Sequence, residues 1–330
     1  MSGLILGIET SCDDTSVAIV DASGTVVSAC TASQASLHAA YGGIYPELAS
    51  RAHVDKIIPT VHEVLRSAAL RPADLAAVAA TRGPGLIGSL LVGVNTAAAL
   101  GRGWDLPVLG VNHLRGHLRS ADLEQARVRY PAMVLLVSGG HTLLARMESA
   151  GDIKLVGSTL DDSVGETYDK VARMLGLGYP GGPVVDRLAR TGSAAVRFPR
   201  PMLNLGLDFS FSGLKTAVSY YLADHPDAPP QDVAASFVDA CMTVLVAKCR
   251  RALAEYPSAC LVVVGGVAAS PQLREQAQEL CDGLGVELCL PPLKWSTDNG
   301  AMIALASFDY LGGDVRPRLD PVPRLTIEDY

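Results

Sequence analysis

The same order of events occurs twice along this chain, and that recurrence constrains its fold more than any single residue does. LILGIE (4–9) is a short apolar run, TSCDDTS a polar turn, VAIVD (17–21) a second apolar run, DASGT another turn and VVSACTAS a third run. AMVLLVS (132–138), GGHT, LLARM, ESAGD and IKLVGSTL repeat the series over 132–160. Each series reads as strand, turn, strand, turn, strand, with helix-forming sequence after it. Two similar α/β halves are expected, and a cleft between them is a natural binding site. The 330 residues accommodate about two domains.

Between and after the two series the pattern continues as α/β. A helix is expected from Pro46 to about Leu65, with Leu48, Ala52, Ile57, Ile58, Val61 and Leu65 on one face. Another follows the glycine-rich RGPGLIGS through Ala98, and more are expected near 162–176, 182–191, 212–223, 231–256 and 271–283. Buried strands are expected at 75–81, 105–111, 259–267 and 286–292, and a last helix from about Asp298 to Tyr310.

Composition narrows the function classes. Hydrophobic residues make up 49% and charged residues 18%, so a large core is available. A net charge of −7 excludes a chain whose main task is to coat nucleic acid, while leaving room for a local basic patch. The opening MSGLILGIETSC has no basic region before its apolar run, and no stretch has the roughly 20 apolar residues of a membrane span. A cytoplasmic protein without membrane attachment is therefore expected. Seven cysteines without a CxxC pair fit reduced, packed thiols. Only Cys12 lies in a polar turn, and no thiol-enzyme motif surrounds it.

Three turns after strands carry small or hydroxyl residues: Thr10–Ser16, Ser138–Thr142 and Gly265–Ser270. Glycine allows close approach to the backbone, whose N–H groups bind anions. One such turn is ordinary, whereas three in a duplicated frame favour a nucleotide. There is no Walker A sequence and no G-x-G-x-x-G after the first strand, so neither a P-loop nor a dinucleotide fold is favoured. Among the carboxylates, Glu9 ends an apolar strand and Asp169 lies one turn after Glu166; these two are singled out as site candidates.

NHLRGH (112–117) sets His113 and His117 four residues apart, on one face if the segment is helical. A zinc peptidase of that spacing needs Glu after the first His as general base, and Leu114 stands there, followed by Arg115. The peptidase reading falls. A metal site needs a further ligand from elsewhere, for which His141 and Asp298 are candidates.

The motifs GIETSCDDTSVAIVD, GGIYPELASRAHVDKI, TRGPGLIGSLLVG, NHLRGH, LLVSGGHT, DDSVGETYDKVARMLGLGYPGG, FSFSGLKTA, GGVAAS and STDNGAMIA follow one another in this order. Over about 5–311 the chain resembles the bacterial tRNA N(6)-adenosine threonylcarbamoyltransferase family. The resemblance implies an actin-like ATPase fold of two duplicated domains around a nucleotide cleft. The division it implies is 1–125 and 126–294, with a C-terminal helix over 295–330 packing back on the first domain. It implies an acyltransferase that moves threonylcarbamoyl from threonylcarbamoyl-AMP to N6 of adenosine 37 in tRNAs reading ANN codons. His113, His117 and Asp298 match the metal ligands, for one divalent iron or zinc ion. Leu136, Val137, Ser138, Gly139, Gly140, Asp169, Gly182 and Asp186 match substrate-binding positions, and adenylate or ATP/ADP is expected in the cleft. No catalytic residue is implied beyond the metal set. Two positions depart from the family pattern: Ser270 replaces the usual Asn after Gly-Gly, and Arg115 stands where many relatives have Glu. The implied partners are tRNA, a degenerate paralogue of the same fold and a small P-loop ATPase.

Arg115, Arg119, Arg127, Arg129, Arg197 and Arg200 are candidates to meet RNA phosphate or are a solvated surface. A small-molecule kinase or carbamoyltransferase of the same fold, a metallopeptidase and a non-catalytic scaffold are the competing classes. The intact histidine pair speaks against the scaffold, and 330 residues leave no room for an added carbamoyl-phosphate domain.

Overall fold

Apolar runs become strands where helices cover both faces of a sheet. In the computed structural model, which describes residues 3–124, 128–311 and 318–329, the first series forms β1 (Leu4–Glu9), β2 (Asp14–Asp21) and β3 (Val26–Ser33). Next come α1 (Ala35–Ala39), α2 (Pro46–Ala68), β4 (Leu75–Gly83), α3 (Ile87–Trp104), β5 (Val108–Asn112) and α4 (His113–Arg119). The second series forms β6 (Ala132–Val137), β7 (Thr142–Met147) and β8 (Ile153–Ser158). It continues through α5 (Val164–Met174), α6 (Gly182–Ala189), α7 (Ser212–Asp224), α8 (Pro230–Glu255), β9 (Cys260–Val264), α9 (Pro271–Leu284) and β10 (Glu287–Cys289). The last helix is α10 (Gly300–Ser307).

The chain divides into two compact units, Met1–Arg127 with Pro291–Tyr330 and Val128–Leu290. Each holds one five-stranded sheet. The orders are β3-β2-β1-β4-β5 and β8-β7-β6-β9-β10. In both, the first three strands form an antiparallel meander and the last two run parallel to the first. The repeat in the sequence is thus a repeat of topology.

Period-two alternation sorts the first sheet's side chains. Ile5, Ala18, Val20, Ala77 and Ala79 pack with Met302, Ile303 and Leu305 of α10. Leu6, Ile8, Val17, Ile19 and Val78 point the other way, against Ile57, Val61 and Val64 of α2 and Ala97 of α3. Ile58, expected on the buried face of α2, is 44% exposed, because the buried stripe follows Ala49, His53, Ile57, Val61 and Val64 instead. In the second unit, β6 and β9 pack with Tyr168, Phe211, Phe237 and Leu245 from α5, α8 and the start of α7.

The backbone of α10 lies directly on β1 and β2. A Cβ on Gly7 would stand 2.3 Å from Gly300 O and 2.5 Å from Ala304 N, and one on Gly300 would stand 2.7 Å from Gly7 O. Among the described residues, the expected helix over 295–330 is present only in part. Helix occupies Gly300–Ser307, a 3₁₀ turn follows at Phe308–Tyr310, and 318–329 is irregular, with a bend and a turn. Pro321 and Pro323 remove the N–H donors a helix would need there.

Gly7→Ala is expected to destabilise the protein by about 1–3 kcal/mol, since backbone on both sides of the site is unable to yield. Gly103→Ala, on the exposed last turn of α3 with nothing near its Cβ, is expected to be neutral or slightly stabilising. Denaturant unfolding of the two variants checks the contrast.

Candidate metal centre

The centre is built where β1, β4, α4 and the segment before α10 end together. Asn112 closes β5 and caps α4, its Oδ1 accepting from Leu114 N at 2.9 Å. The cap starts a helix on His113, so His113 and His117 share a face, with ring centroids 4.6 Å apart and planes at 82°. Asn299 caps α10 in the same manner, accepting from Met302 N at 2.8 Å, and holds Asp298 just ahead of that helix. Asp298 Oδ1 lies 3.1 Å from His117 Nε2 and 3.6 Å from His113 Nε2.

Behind the histidines sits Glu9, fully buried at the end of β1. Its Oε2 accepts from His113 Nδ1 at 2.9 Å and from Thr81 Oγ1 at 2.6 Å, and its Oε1 accepts from Ser11 N. Ser11 Oγ lies 3.2 Å from the same histidine nitrogen. Burial alone would raise the Glu9 pKa, but the charge and hydrogen bond of His113 hold it below the ordinary value. Burial alone would lower that of His113, yet Glu9 and Asp298 together hold it up at about 9. A carboxylate that fixes Nδ1–H leaves Nε2 as the metal-facing nitrogen, the usual arrangement behind a ligating histidine.

The residues fit an ion. One ligand atom from each of His113, His117 and Asp298 lies within 4.8 Å of the others. Bonds of about 2 Å in a tetrahedron separate ligand atoms by roughly 3.3 Å, close to the two distances to Asp298. Both His117 nitrogens are buried and neither makes a well-aligned hydrogen bond among the described residues, Nε2 having only its 3.1 Å contact with Asp298, so ligation of Nε2 would satisfy one of them. Both histidines are buried, while the Asp298 side chain is 29% exposed, so the group opens on one side. Three protein ligands with an open position is the pattern of a working site rather than a structural one. The Cys12 thiol is held well above its ordinary pKa by burial and then by Asp13, Asp298 and Glu9, the opposite of the lowered pKa of an activated thiol.

The other candidate residues belong to the second unit, described by itself. Leu136 and Val137 are buried at the end of β6, and Ser138, Gly139 and Gly140 form the turn to β7. Gly139 and Gly140 are exposed, and a Cβ on either meets nothing within 4 Å, so a ligand can reach that backbone. Ser163 Oγ donates to Gly139 O at 2.6 Å and ties the turn to α5. Gly265 has a φ of 93° and packs on Val137, setting the second glycine turn beside the first. Asp186, one turn after Gly182 on α6, has its carboxyl raised by burial, with the Ser270 and Tyr168 hydroxyls acting against that rise. Asp186, Ser270 and both turns therefore cluster. Asp169 has a different part: its Oδ1 accepts from Gly181 N at 2.8 Å and holds the loop before α6. His141 is in the turn to β7 and is not a member of the metal group.

Two of the arginines, Arg115 and Arg119, are not surface groups. Arg115 is 5% exposed, and Arg119 pairs with Asp122 and Asp309. Arg129 pairs with Glu287 and Arg200 with Asp239, Arg197 is exposed, and Arg127 lies outside the described residues. Sequence reading held Ser11 only as part of the Thr10–Ser16 turn, without linking it to Glu9, and missed Thr81; both are hydroxyl residues within strand-and-turn sequence, with no spacing to tie them to the carboxylate.

A model of the tRNA N6-adenosine threonylcarbamoyltransferase family matches residues 25–305. Proteins of that name from Acidovorax sp. and Trichlorobacter lovleyi are 49% and 48% identical to the chain; the first match covers 97% of this chain and 95% of the relative, the second 93% and 92%. The chain belongs to this family. A third relative of the same name, from Carboxydothermus hydrogenoformans, is 45% identical over 99% of this chain and 98% of its own. Members of the threonylcarbamoyltransferase family are enzymes, and this chain is accordingly a transferase. Solved structures agree on the fold: T. kodakarensis HypF matches with a TM-score of 0.63 at 14% identity over 93% of this chain and 47% of its own. Component A of the (R)-2-hydroxyglutaryl-CoA dehydratase of Acidaminococcus fermentans matches with 0.57 at 17%, over 93% and 98%. At such identities the likeness establishes the actin-like ATPase fold and nothing of the activity.

His113→Ala and His117→Ala are each expected to abolish stoichiometric binding of zinc or iron, and Glu9→Gln to weaken it by about 10–100-fold. Because an ion must displace the proton that His113 holds up to about 9, zinc affinity is expected to rise close to tenfold per pH unit below that value. Chelator competition at several pH values measures both effects.

Proposed function

We propose that the chain transfers threonylcarbamoyl from threonylcarbamoyl-AMP to the N6 amine of adenosine 37 in tRNAs that read ANN codons. The family match over nearly the whole chain is the observation that carries this reading. In the reaction, the amine nitrogen attacks the carbamoyl carbon, the bond from that carbon to the phosphate oxygen breaks, AMP leaves, and the amine gives up a proton. The acyl group arrives activated, so the protein must position and stabilise charge rather than supply a covalent nucleophile. The suppressed Cys12 thiol fits that requirement.

His113, His117 and Asp298 would hold one iron or zinc ion, which when bound supplies a Lewis acid for the carbamoyl oxygen. Glu9 keeps His113 in the tautomer that ligates. In the second unit, Leu136, Val137, Ser138, Gly139 and Gly140, with Gly182, Asp186 and Ser270, would seat the adenylate against backbone N–H groups and hydroxyls. Asp169 would act there by holding the Gly181 backbone in place. Ser270 reaches Gln272 Oε1 at 3.3 Å and neighbours Asp186, so the shorter side chain remains within this cluster.

The chain is acidic overall, and we take it to bind tRNA jointly with other proteins, a degenerate paralogue and a small P-loop ATPase. Val54 and Ile58 on α2, and Ile87 and Leu91 on α3, are exposed one turn apart on two helices that pack together, a surface suited to a protein partner. Among the described residues no helix is long and apolar enough to cross a membrane, and we assign the chain to the cytoplasm, where its RNA substrate is.

Incubated with those partners, labelled threonine, bicarbonate, ATP and unmodified tRNA, the protein is expected to place label in RNA at adenosine 37, and the His113→Ala variant is not. RNA without label in the presence of active partners would remove the assignment; cleavage of a glycoprotein by metal-loaded pure protein would restore the peptidase reading.

A further inference from the structure

Arg115 carries a full charge, is 5% exposed and stands between the two candidate ligands on α4. A buried guanidinium demands acceptors. They come from a segment distant in sequence. Arg115 Nε donates to Ile327 O at 3.2 Å and Nη2 to Glu328 O at 3.4 Å. Asn112 Nδ2, one turn earlier, donates to Thr326 O at 2.8 Å and Asp329 O at 2.9 Å. Four consecutive carbonyls, 326 to 329, thus converge on two side chains at the start of the metal helix.

The turn that presents them is closed on itself. Asp329 Oδ2 accepts from Thr326 N at 2.7 Å and from Thr326 Oγ1 at 3.0 Å, and Ile327 is buried. The strap leading to it is also seated. Val322 N donates to Arg82 O at 2.7 Å and Gly85 N to Pro323 O at 3.2 Å. Glycines mark its course: a Cβ on Gly83 would stand 1.9 Å from Val322 O, and one on Gly110 would stand 2.0 Å from Arg318 O. Residues 318–329 therefore lie tightly across the ends of β4 and β5, and their last turn bears on α4.

We propose that Arg115 is a positioning residue that clamps the 326–329 turn onto α4 and so holds His113 and His117 at the separation at which they share one ion. The proposal rests on the metal reading of those histidines. It gives Arg115 a task inside the protein in place of a contact with RNA. It also accounts for an arginine in the middle of a ligand helix, where an added positive charge opposes a cation: the carbonyls of the strap, together with the nearby Asp309 and Asp329 carboxylates, take up that charge.

The test compares the wild-type chain, Arg115→Ala, Arg115→Lys, a chain ending at Leu325, their combination, and His113→Ala. Zinc affinity is read by chelator competition and the cobalt-substituted site by its visible spectrum. Arg115→Ala and the shortened chain are each expected to lose 10–100-fold in affinity, with the combination losing no more than one of them. Arg115→Lys, which keeps the charge and a donor, is expected to fall between. Native affinity in Arg115→Ala, with affinity lost in His113→Ala, overturns the clamp. Native affinity in His113→Ala overturns the metal reading instead. Hydrogen exchange of the metal-free protein then judges the clamp alone: amides 114–119 are expected to exchange at least tenfold faster in Arg115→Ala, with those of β6 and β9 unchanged. Unchanged exchange over 114–119 overturns it, and faster exchange throughout both units shows a general loss of fold and overturns it as well.

Discussion

One buried charge organises the first unit. A carboxylate taken out of water is tolerated only where hydrogen bonds and an opposite charge replace the water. Glu9 is fully buried, and its acceptors are satisfied by Ser11 N, Thr81 Oγ1 and His113 Nδ1. Those three groups come from the turn after β1, from β4 and from α4. The need to satisfy one carboxylate therefore aligns three separate segments and fixes which nitrogen of His113 faces outward. The metal group follows from that alignment, because Asp298 arrives beside the outward nitrogens from the segment ahead of α10.

The two units solve a common problem with one strand order but fill it differently. In the first unit small residues let helix α10 touch the sheet: Gly7 and Gly300 meet backbone to backbone, and Ala18, Ala77 and Ala79 line the same face. In the second, aromatic residues fill the space between helices and sheet, with Tyr168 of α5 and Phe237 of α8 edge to face at 5.0 Å. Close backbone packing gives little slack around the histidines. The second unit instead keeps its open backbone at Gly139 and Gly140, where a ligand can approach.

Much of this was legible in the residues. The duplicated strand series appears as two sheets of equal order because alternation and turn residues are local signals. His113 and His117 were legible as a pair because four residues make one helical turn, and Asn112 is a recognisable cap. Asp298 was not settled by spacing, which left His141 equally open; some 180 residues separate it from the pair, and the family resemblance singled it out. Thr81 gave no signal and Ser11 only that of its turn, since a hydroxyl in a strand or turn is ordinary until a buried carboxylate is known to lie beside it. The residues placed the last helix at about Asp298–Tyr310, close to α10 and its 3₁₀ turn, whereas the longer helix over 295–330 was implied by the resemblance and is stopped by prolines such as Pro321 and Pro323. Arg115 was misread because its acceptors are main-chain carbonyls, which are the same for every sequence.

The discontinuity of the first unit has a consequence for how the chain is made. β1 to α4 leave the ribosome early, yet the helix that covers one face of their sheet, and the aspartate of the metal group, are translated only after the whole of residues 128–290. The second unit has its complete sequence available first, since it is uninterrupted, and units of this kind fold as they emerge. Until α10 is synthesised, Ile5, Val20 and Ala79 face solvent. A nascent chain therefore carries a half-covered sheet for most of its synthesis, and Asp298 joins His113 and His117 in the candidate metal group only at the end.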